Sequence, residues 1–342
     1  MEVIGTQNNI TINETNAIKG IALIFLLTHH LFFLGDMPVG DIAIGEVSLV
    51  QSIGIWCKVC VAIFVLLSGY GLGVSQKSIG GGNLLHFYKK RYVKLMINYW
   101  LIYLLFVPFG VLVMGRSFEQ VYHGSWIRPL LDLIGLHKAF TGDSYGYNPT
   151  WWFYSCIILL YAIYPVFDKI KKSIWLMIVV ALFSVRIGGM IPVYSACSYY
   201  VPSFLLGIYM STTNHPYATY LKRHKAYIIV MLPIVCLMRF WMPWTSLWDA
   251  VIAFFIVMSY TIVKVPNFIS TVLGFIGKHS FNIFLFHTFL CGIYFKSYIY
   301  WSTNPFLIFM TLITSSLLIS VMIEYLKDVM GIYRIQKYLI EL

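Results

Sequence analysis

A chain of 342 residues that is 59% hydrophobic and only 11% charged, with a mean hydropathy of +0.78, is not an ordinary soluble domain, in which roughly a quarter of residues are charged. Its net charge of +11 does not by itself imply a nucleic-acid partner, because the basic residues fall in alternate gaps between apolar runs rather than in one patch. Those runs recur from end to end near the ~20 residues that cross a bilayer, with no soluble-length stretch between them. The pattern predicts an all-α, polytopic integral membrane protein made of one domain over 1–342.

About ten transmembrane helices are expected, near 17–35, 52–74, 93–114, 151–167, 174–190, 195–211, 226–241, 246–263, 280–298 and 306–326. Lys77, Lys89, Lys90, Arg91 and Lys94 flank the second loop, Lys169, Lys171 and Lys172 the fourth, Lys222, Arg223 and Lys225 the sixth, Lys264 the eighth, and Lys327, Arg334 and Lys337 the tail. By the positive-inside rule these loops and both termini are cytoplasmic. The first outer loop agrees, since it carries Asp36, Asp41 and Glu46 and no basic residue. The first sixteen residues are polar and no small-residue cleavage site follows the first helix, so this helix is expected to stay in place. The pair Cys57-x-x-Cys60 has redox or metal-ligand spacing but an apolar helical setting with no second pair nearby, so no metal site is expected.

In the first apolar run Lys19 and His30 are eleven positions apart, about three turns, so both project from one helix face with roughly 16 Å of rise between them. On this reading the cation stays near the membrane surface and the imidazole reaches mid-bilayer. A titratable side chain in hydrocarbon is costly unless it faces a cavity or partner, which makes the pair a functional candidate. A lone histidine in such a helix also serves as a packing residue that hydrogen-bonds across helices. Several ionisable groups in a chain so poor in them favour chemistry, and a neutral imidazole can take a proton from a hydroxyl and pass it on. His30 is the candidate base; His29 lies about 100° round the helix and remains the alternative.

In the second run Ser68 is followed by Gly69, Gly71 and Gly73, which let another backbone or a ligand approach closely. Ser68 reads as a ligand or packing hydrogen-bonder rather than a nucleophile, having no base beside it in sequence. Residues 86–94, with Lys89, Lys90, Arg91 and Lys94, suit a phosphorylated donor such as coenzyme A; the same run also reads as a stop-transfer anchor that needs no ligand. The gap 115–150 mixes Trp126, Leu130 and Leu131 with Arg128, Asp132, His123 and His137, as an interfacial or re-entrant segment does. Its turn-rich second half, 141–149, serves either to stack a sugar or as a membrane-surface lid. Eight residues past His279, His287 reaches a depth near that expected of His30, so the two can share one cavity.

In order and spacing these blocks resemble the acyltransferase family 3 membrane proteins, which O-acylate cell-surface sugars. The family's Arg/Lys, ten residues, His motif is matched by Lys19 and His30, and its Phe-Phe-x-x-Ser-Gly-Tyr/Phe block is similar to 63–70, ending at Ser68, Gly69 and Tyr70. The basic run with Arg91, the block Trp151-Trp152-Phe153 running to Tyr161 and Pro165, Phe204-Leu205-Leu206-Gly207, and the late block ending at His287 are also similar. The resemblance covers most of the chain. It implies transfer of an acyl group, acetyl first, from acyl-CoA to a hydroxyl of a polysaccharide or its lipid-linked precursor in a bacterial inner membrane. His30 and Lys19 would then be catalytic, Arg91, Lys94 and Ser68 would hold acetyl-CoA, and His29, Tyr70, Trp152 and His287 would surround the substrate. Expected partners are the carbohydrate acceptor, membrane lipid and other polysaccharide-biosynthesis proteins. A polysaccharide exporter using the same polar cavity is the competing reading. Three departures stand out: lysine replaces the usual arginine at Lys19, losing the bidentate fork; Asn16 stands where Asp is commoner; and Phe281 and Phe284 remove any phenol there. No hydrolase-like extracytoplasmic domain follows in this sequence, so a relay to one would need a separate protein.

Overall fold

The structure, a computed structural model, describes residues 10–36, 39–40, 43–44, 47–75, 84–141, 146–191, 195–212, 223, 225–241 and 246–341. Lys77, Lys222, Asp41, Glu46 and residues 142–145 of the turn-rich loop lie outside the described residues. Apart from a two-residue hairpin, β1 (Ala43–Ile44) with β2 (Val47–Ser48), paired Ala43 to Ser48 and Ile44 to Val47, the described secondary structure is helical.

Helix α1 (Ile12–Phe32) begins five residues before the apolar run does, because Thr11 and Glu14 form a capping box: the Thr11 hydroxyl accepts from the Glu14 amide, and the Glu14 carboxylate accepts from the Thr11 amide at 2.8 Å. This moves both functional candidates. Lys19 sits about 10 Å into the helix and His30 in its last turn. The expectation of a surface cation and a mid-membrane imidazole is therefore corrected: the cation is the deeper of the two within α1.

The second expected span is broken. Helix α2 (Leu49–Trp56) passes through a 3₁₀ turn, Cys57–Val59, into α3 (Cys60–Ser75). Next comes α4 (Leu84–Leu112), which starts nine residues earlier than expected, so that Lys89, Lys90, Arg91 and Lys94 lie inside the helix rather than before it. No Gly or Pro interrupts 84–107, and straight-chain basic residues are good helix formers. Three short helices follow, α5 (Phe118–Tyr122), α6 (Ile127–Leu133) and α7 (His137–Thr141). The chain then runs through α8 (Trp152–Ile170), α9 (Ile174–Met190), α10 (Ser195–Met210), α11 (Lys225–Met238), α12 (Ser246–Ile262), α13 (Asn267–Lys278), α14 (Ser280–Thr288) with a π turn Phe289–Tyr294, α15 (Lys296–Ile299), α16 (Pro305–Val329) and α17 (Ile332–Glu341).

Five of the described helical stretches are long and apolar enough to cross a membrane: Ile12–Phe32, Leu49–Ser75, Leu84–Leu112, Pro149–Ile170 and Pro305–Val329. The pair α13 and α14 with its π turn, bent by 57°, makes a sixth if taken together. Helices α9 to α12 have 14 to 17 residues. They reach about 20–25 Å, short of the ~30 Å of hydrocarbon. By length, then, the expected ten spans reduce to five or six among the described residues. Helix α13 had no counterpart among the expected spans.

Two backbone-to-backbone contacts organise the bundle. On α1 and α13, a Cβ added at Gly277 would meet the Asn16 carbonyl carbon at 2.7 Å, and one at Gly20 the Leu273 carbonyl carbon at 2.9 Å. On α3 and α10, one at Gly207 would meet the Leu66 carbonyl carbon at 2.9 Å, and one at Gly69 that of Phe204 at 3.1 Å. Small residues let membrane helices approach this closely.

Candidate active site

The last turn of α1 carries two adjacent histidines with different surroundings. Buried His29 donates from Nδ1 to the Gly54 carbonyl of α2 at 2.8 Å and stacks on Phe33, with ring centroids 4.7 Å apart. Helix α2 can come this close because position 54 has no side chain: a Cβ there would meet the Phe32 carbonyl carbon at 2.8 Å. His29 is thus spent on a cross-helix hydrogen bond. Half-buried His30 faces the other way, its ring 4.8 Å from that of His287 on α14. Helices far apart in sequence bring these two imidazoles together.

His287 is fully buried, with Nδ1 3.0 Å from the carbonyl oxygens of both Ile283 and Phe284. A loop clamps the helix around it. Asn148 Nδ2 donates to the Leu285 carbonyl at 3.2 Å, Trp151 Nε1 donates to the same oxygen at 2.9 Å, and Thr288 Oγ1 donates to Asn148 Oδ1 at 2.8 Å. The Thr150 hydroxyl also donates to Asn148 Oδ1, at 2.7 Å. Sequence reasoning missed Asn148, Thr150 and Thr288. The run Asn148-Pro149-Thr150-Trp151 carries the signal of an Asx-type helix start, and the Asn148 side chain does accept from the Thr150 amide.

Lys19 lies on the His30 face of α1, half-buried, with no hydrogen bond or ion pair among the described residues. A lone cation at this depth is an open site for an anion or an oxyanion.

Ser68 falls in a second group, not with the histidines. It lies fourteen residues beyond Gly54, roughly 20 Å of helix rise away. The Tyr161 hydroxyl of α8 bonds to it, and the Arg91 charge bears on the same tyrosine. Arg91 donates from Nη2 to Ser75 Oγ, and its guanidinium lies 5.9 Å from the Phe87 ring. Lys94 is exposed one turn on. Ser68, Arg91 and Lys94 therefore share the end of the bundle where α3 ends and α4 begins.

Neither aromatic candidate touches the histidines. The Tyr70 hydroxyl accepts from the Ile10 amide at 2.7 Å and ties the start of α1 to α3. Trp152 stacks on Tyr200 of α10, centroids 6.0 Å apart. Gly69 and Gly73 approach α10, so of the two readings of the glycine run, backbone rather than ligand occupies these positions; Gly71 has open space.

Outside the long helices, Asp132 of α6 is buried and accepts from the Tyr122 hydroxyl at 2.7 Å and the Tyr147 amide at 2.6 Å. Burial pushes the Tyr122 phenol far up, and the neighbouring Asp132 carboxylate adds to the shift, so this hydroxyl stays a donor. Trp126, Leu130 and Phe140 of the same segment are exposed, as befits an apolar face laid on a membrane surface. Cys57 and Cys60 are buried free thiols. Among the described residues no group of three or more His, Cys, Asp or Glu could hold a metal ion.

No curated protein and no solved structure matches the chain. The acyltransferase domain family does, over residues 12–325, a stretch running from the start of α1 almost to the end of α16 and taking in Lys19, both α1 histidines, Ser68, Arg91 and His287. The chain belongs to the acyltransferase family 3 domains, and is an acyltransferase.

Proposed function

We propose that the protein transfers an acyl group, acetyl first, from acyl-CoA to a hydroxyl of a cell-surface polysaccharide or its lipid-linked precursor. The observation that carries this reading is the meeting of His30 and His287, 4.8 Å apart between ring centroids, inside an apolar acyltransferase. In the proposed arrangement the protein is a multi-pass protein of the inner (plasma) membrane, with about ten spans and both termini in the cytoplasm. Lysines and arginine at the start of α4 favour this orientation.

Arg91 and Lys94 receive the phosphates of coenzyme A at the cytoplasmic end, with Ser68 beside them. The pantetheine arm covers the depth between that end and His30. His30 takes the proton of the attacking hydroxyl as the oxygen bonds to the thioester carbon. The C–S bond breaks, and the departing thiolate takes that proton from His30 to give the free thiol. Lys19 holds a donor phosphate or steadies developing negative charge, while His287 orients groups around the base. The carbohydrate acceptor approaches from the opposite face, and membrane lipid and other polysaccharide-biosynthesis proteins are its proposed partners.

The test is purified protein in lipid with radiolabelled acetyl-CoA and a panel of cell-surface glycans, comparing the unmodified chain with His30→Ala. Label should pass to a glycan and be lost in the variant. A fully active His30→Ala protein, or glycan movement across vesicles with no turnover of acetyl-CoA, would overturn the reading.

A further inference from the structure

His287 has one ring nitrogen committed and one bare. Carbonyl oxygens only accept, so the nitrogen 3.0 Å from the carbonyls of Ile283 and Phe284 must carry the proton. The neutral ring therefore presents a lone pair at Nε2. That atom is buried and has no hydrogen-bond partner, an arrangement native interiors rarely leave standing without a reason. The His30 ring lies beside it, inclined by 55°. The other nearby imidazole, His29, already uses its Nδ1 proton on Gly54.

His30 shows the complementary deficiency. It makes no hydrogen bond to any described residue, although its ring touches those of His29, Phe33 and His287. Nothing else among the described residues decides which of its nitrogens holds the proton.

We propose that His287 is the positioning residue of this acyltransferase: its Nε2 accepts a hydrogen bond from His30 when the ring of His30 turns, and so fixes the tautomer and aim of the base. The other nitrogen of His30 then points its lone pair at the acceptor hydroxyl. When His30 takes the proton, the imidazolium keeps its bond to His287, and the proton passes from His30 to the departing thiolate. Base-and-orienter pairs commonly use a carboxylate in the second place. A neutral imidazole performs the same task without burying a second formal charge in hydrocarbon. The clamp from Asn148 and Trp151 onto Leu285, with Thr288 bonded to Asn148, holds α14 at the right height. The inference rests on the proposed role of His30 as base.

The experiment has two arms. In the first, ¹⁵N-histidine-labelled protein in lipid is examined by NMR, with His30 and His287 assigned by single substitution. The expected result is a proton on Nδ1 of His287 and an N–N coupling across a hydrogen bond from His30 to His287 Nε2. A proton on Nε2 of His287, or no coupling, overturns the pairing. In the second, His287→Phe keeps the ring and loses the acceptor, while His287→Gln keeps an acceptor oxygen. The phenylalanine variant should lower kcat about 10²-fold with KM for acetyl-CoA unchanged within about twofold, and glutamine should restore about tenfold. Equal losses in both variants, or a loss confined to KM, overturn the positioning role. If the unmodified protein transfers no acetyl group, the functional reading fails, yet the first arm still decides the pairing.

Discussion

His29 and Gly54 are joined across two helices, imidazole Nδ1–H to carbonyl oxygen at 2.8 Å. The neighbouring His30 is thereby left as the imidazole free to turn. Substituting His29 by Ala should destabilise the protein by about 1–3 kcal/mol, since it leaves a buried carbonyl unpaired. Turnover measured on the folded fraction should fall far less than for His30→Ala. Thermal unfolding and acetyl transfer on one preparation separate the two histidines; a larger catalytic loss at His29 would exchange their roles.

Lys19 offers an opposite pairing of effects. Its charge has no partner among the described residues, so Lys19→Met should leave thermal stability unchanged or raise it. The same change should cut kcat/KM for acetyl-CoA by about 10²-fold, with Lys19→Arg retaining most of it. A variant that loses stability and activity together would show Lys19 to be structural.

Position 207 tests the contact of α3 with α10. Gly207→Ala drives a methyl group into the backbone of α3 at Leu66 and should cost about 1–3 kcal/mol. Gly71→Ala, on the same α3 glycine run but with open space around it, serves as the control and should be within about 0.5 kcal/mol of the parent. Detergent-resistant folded fraction against temperature reads both.

Arg239 and Asp249 form a buried ion pair at 2.7 Å, each 1% exposed, with the Tyr199 hydroxyl donating to the same carboxylate at 3.0 Å. Removing either charge alone should destabilise by about 3–5 kcal/mol, because the survivor is left buried and unpaired. Replacing both by Met and Leu should recover most of that loss. A double-mutant cycle on melting behaviour checks the coupling.

Much of the site was legible because its parts lie on regular helices. The eleven-residue spacing of Lys19 and His30 put them on one face, and comparable depth paired His30 with His287, now seen ring against ring. Where depth was misjudged, the cause was local: the Thr11–Glu14 box starts α1 at Ile12, a polar signal that hydropathy passes over. Helix α13 escaped because Asn267–Lys278 is strongly amphipathic and only 12 residues long, too short for a spanning window. Ser68 could not be separated from the histidines by composition, since only the antiparallel run of α3 against α1 sends it to the other end. Long-range polar contacts such as Asn148 with Leu285, 137 positions apart, leave no periodic trace. Arg239 with Asp249 was missed for the same reason: one lies just past α11 and the other in the first turn of α12.

The wide turn at Phe289–Tyr294 follows His287 by two residues. A π turn holds one residue more than the α-helix it interrupts, so it acts as a phase marker between the histidine and everything after it. Deleting one residue inside it would let the helix close to α geometry and rotate the remainder by about 100°. His287 would keep its bonds to Ile283 and Phe284, while the Tyr294 hydroxyl would swing away from the Phe106 carbonyl it now reaches at 2.9 Å. A family member shortened by one residue here would have to re-fasten α4 by some other side chain.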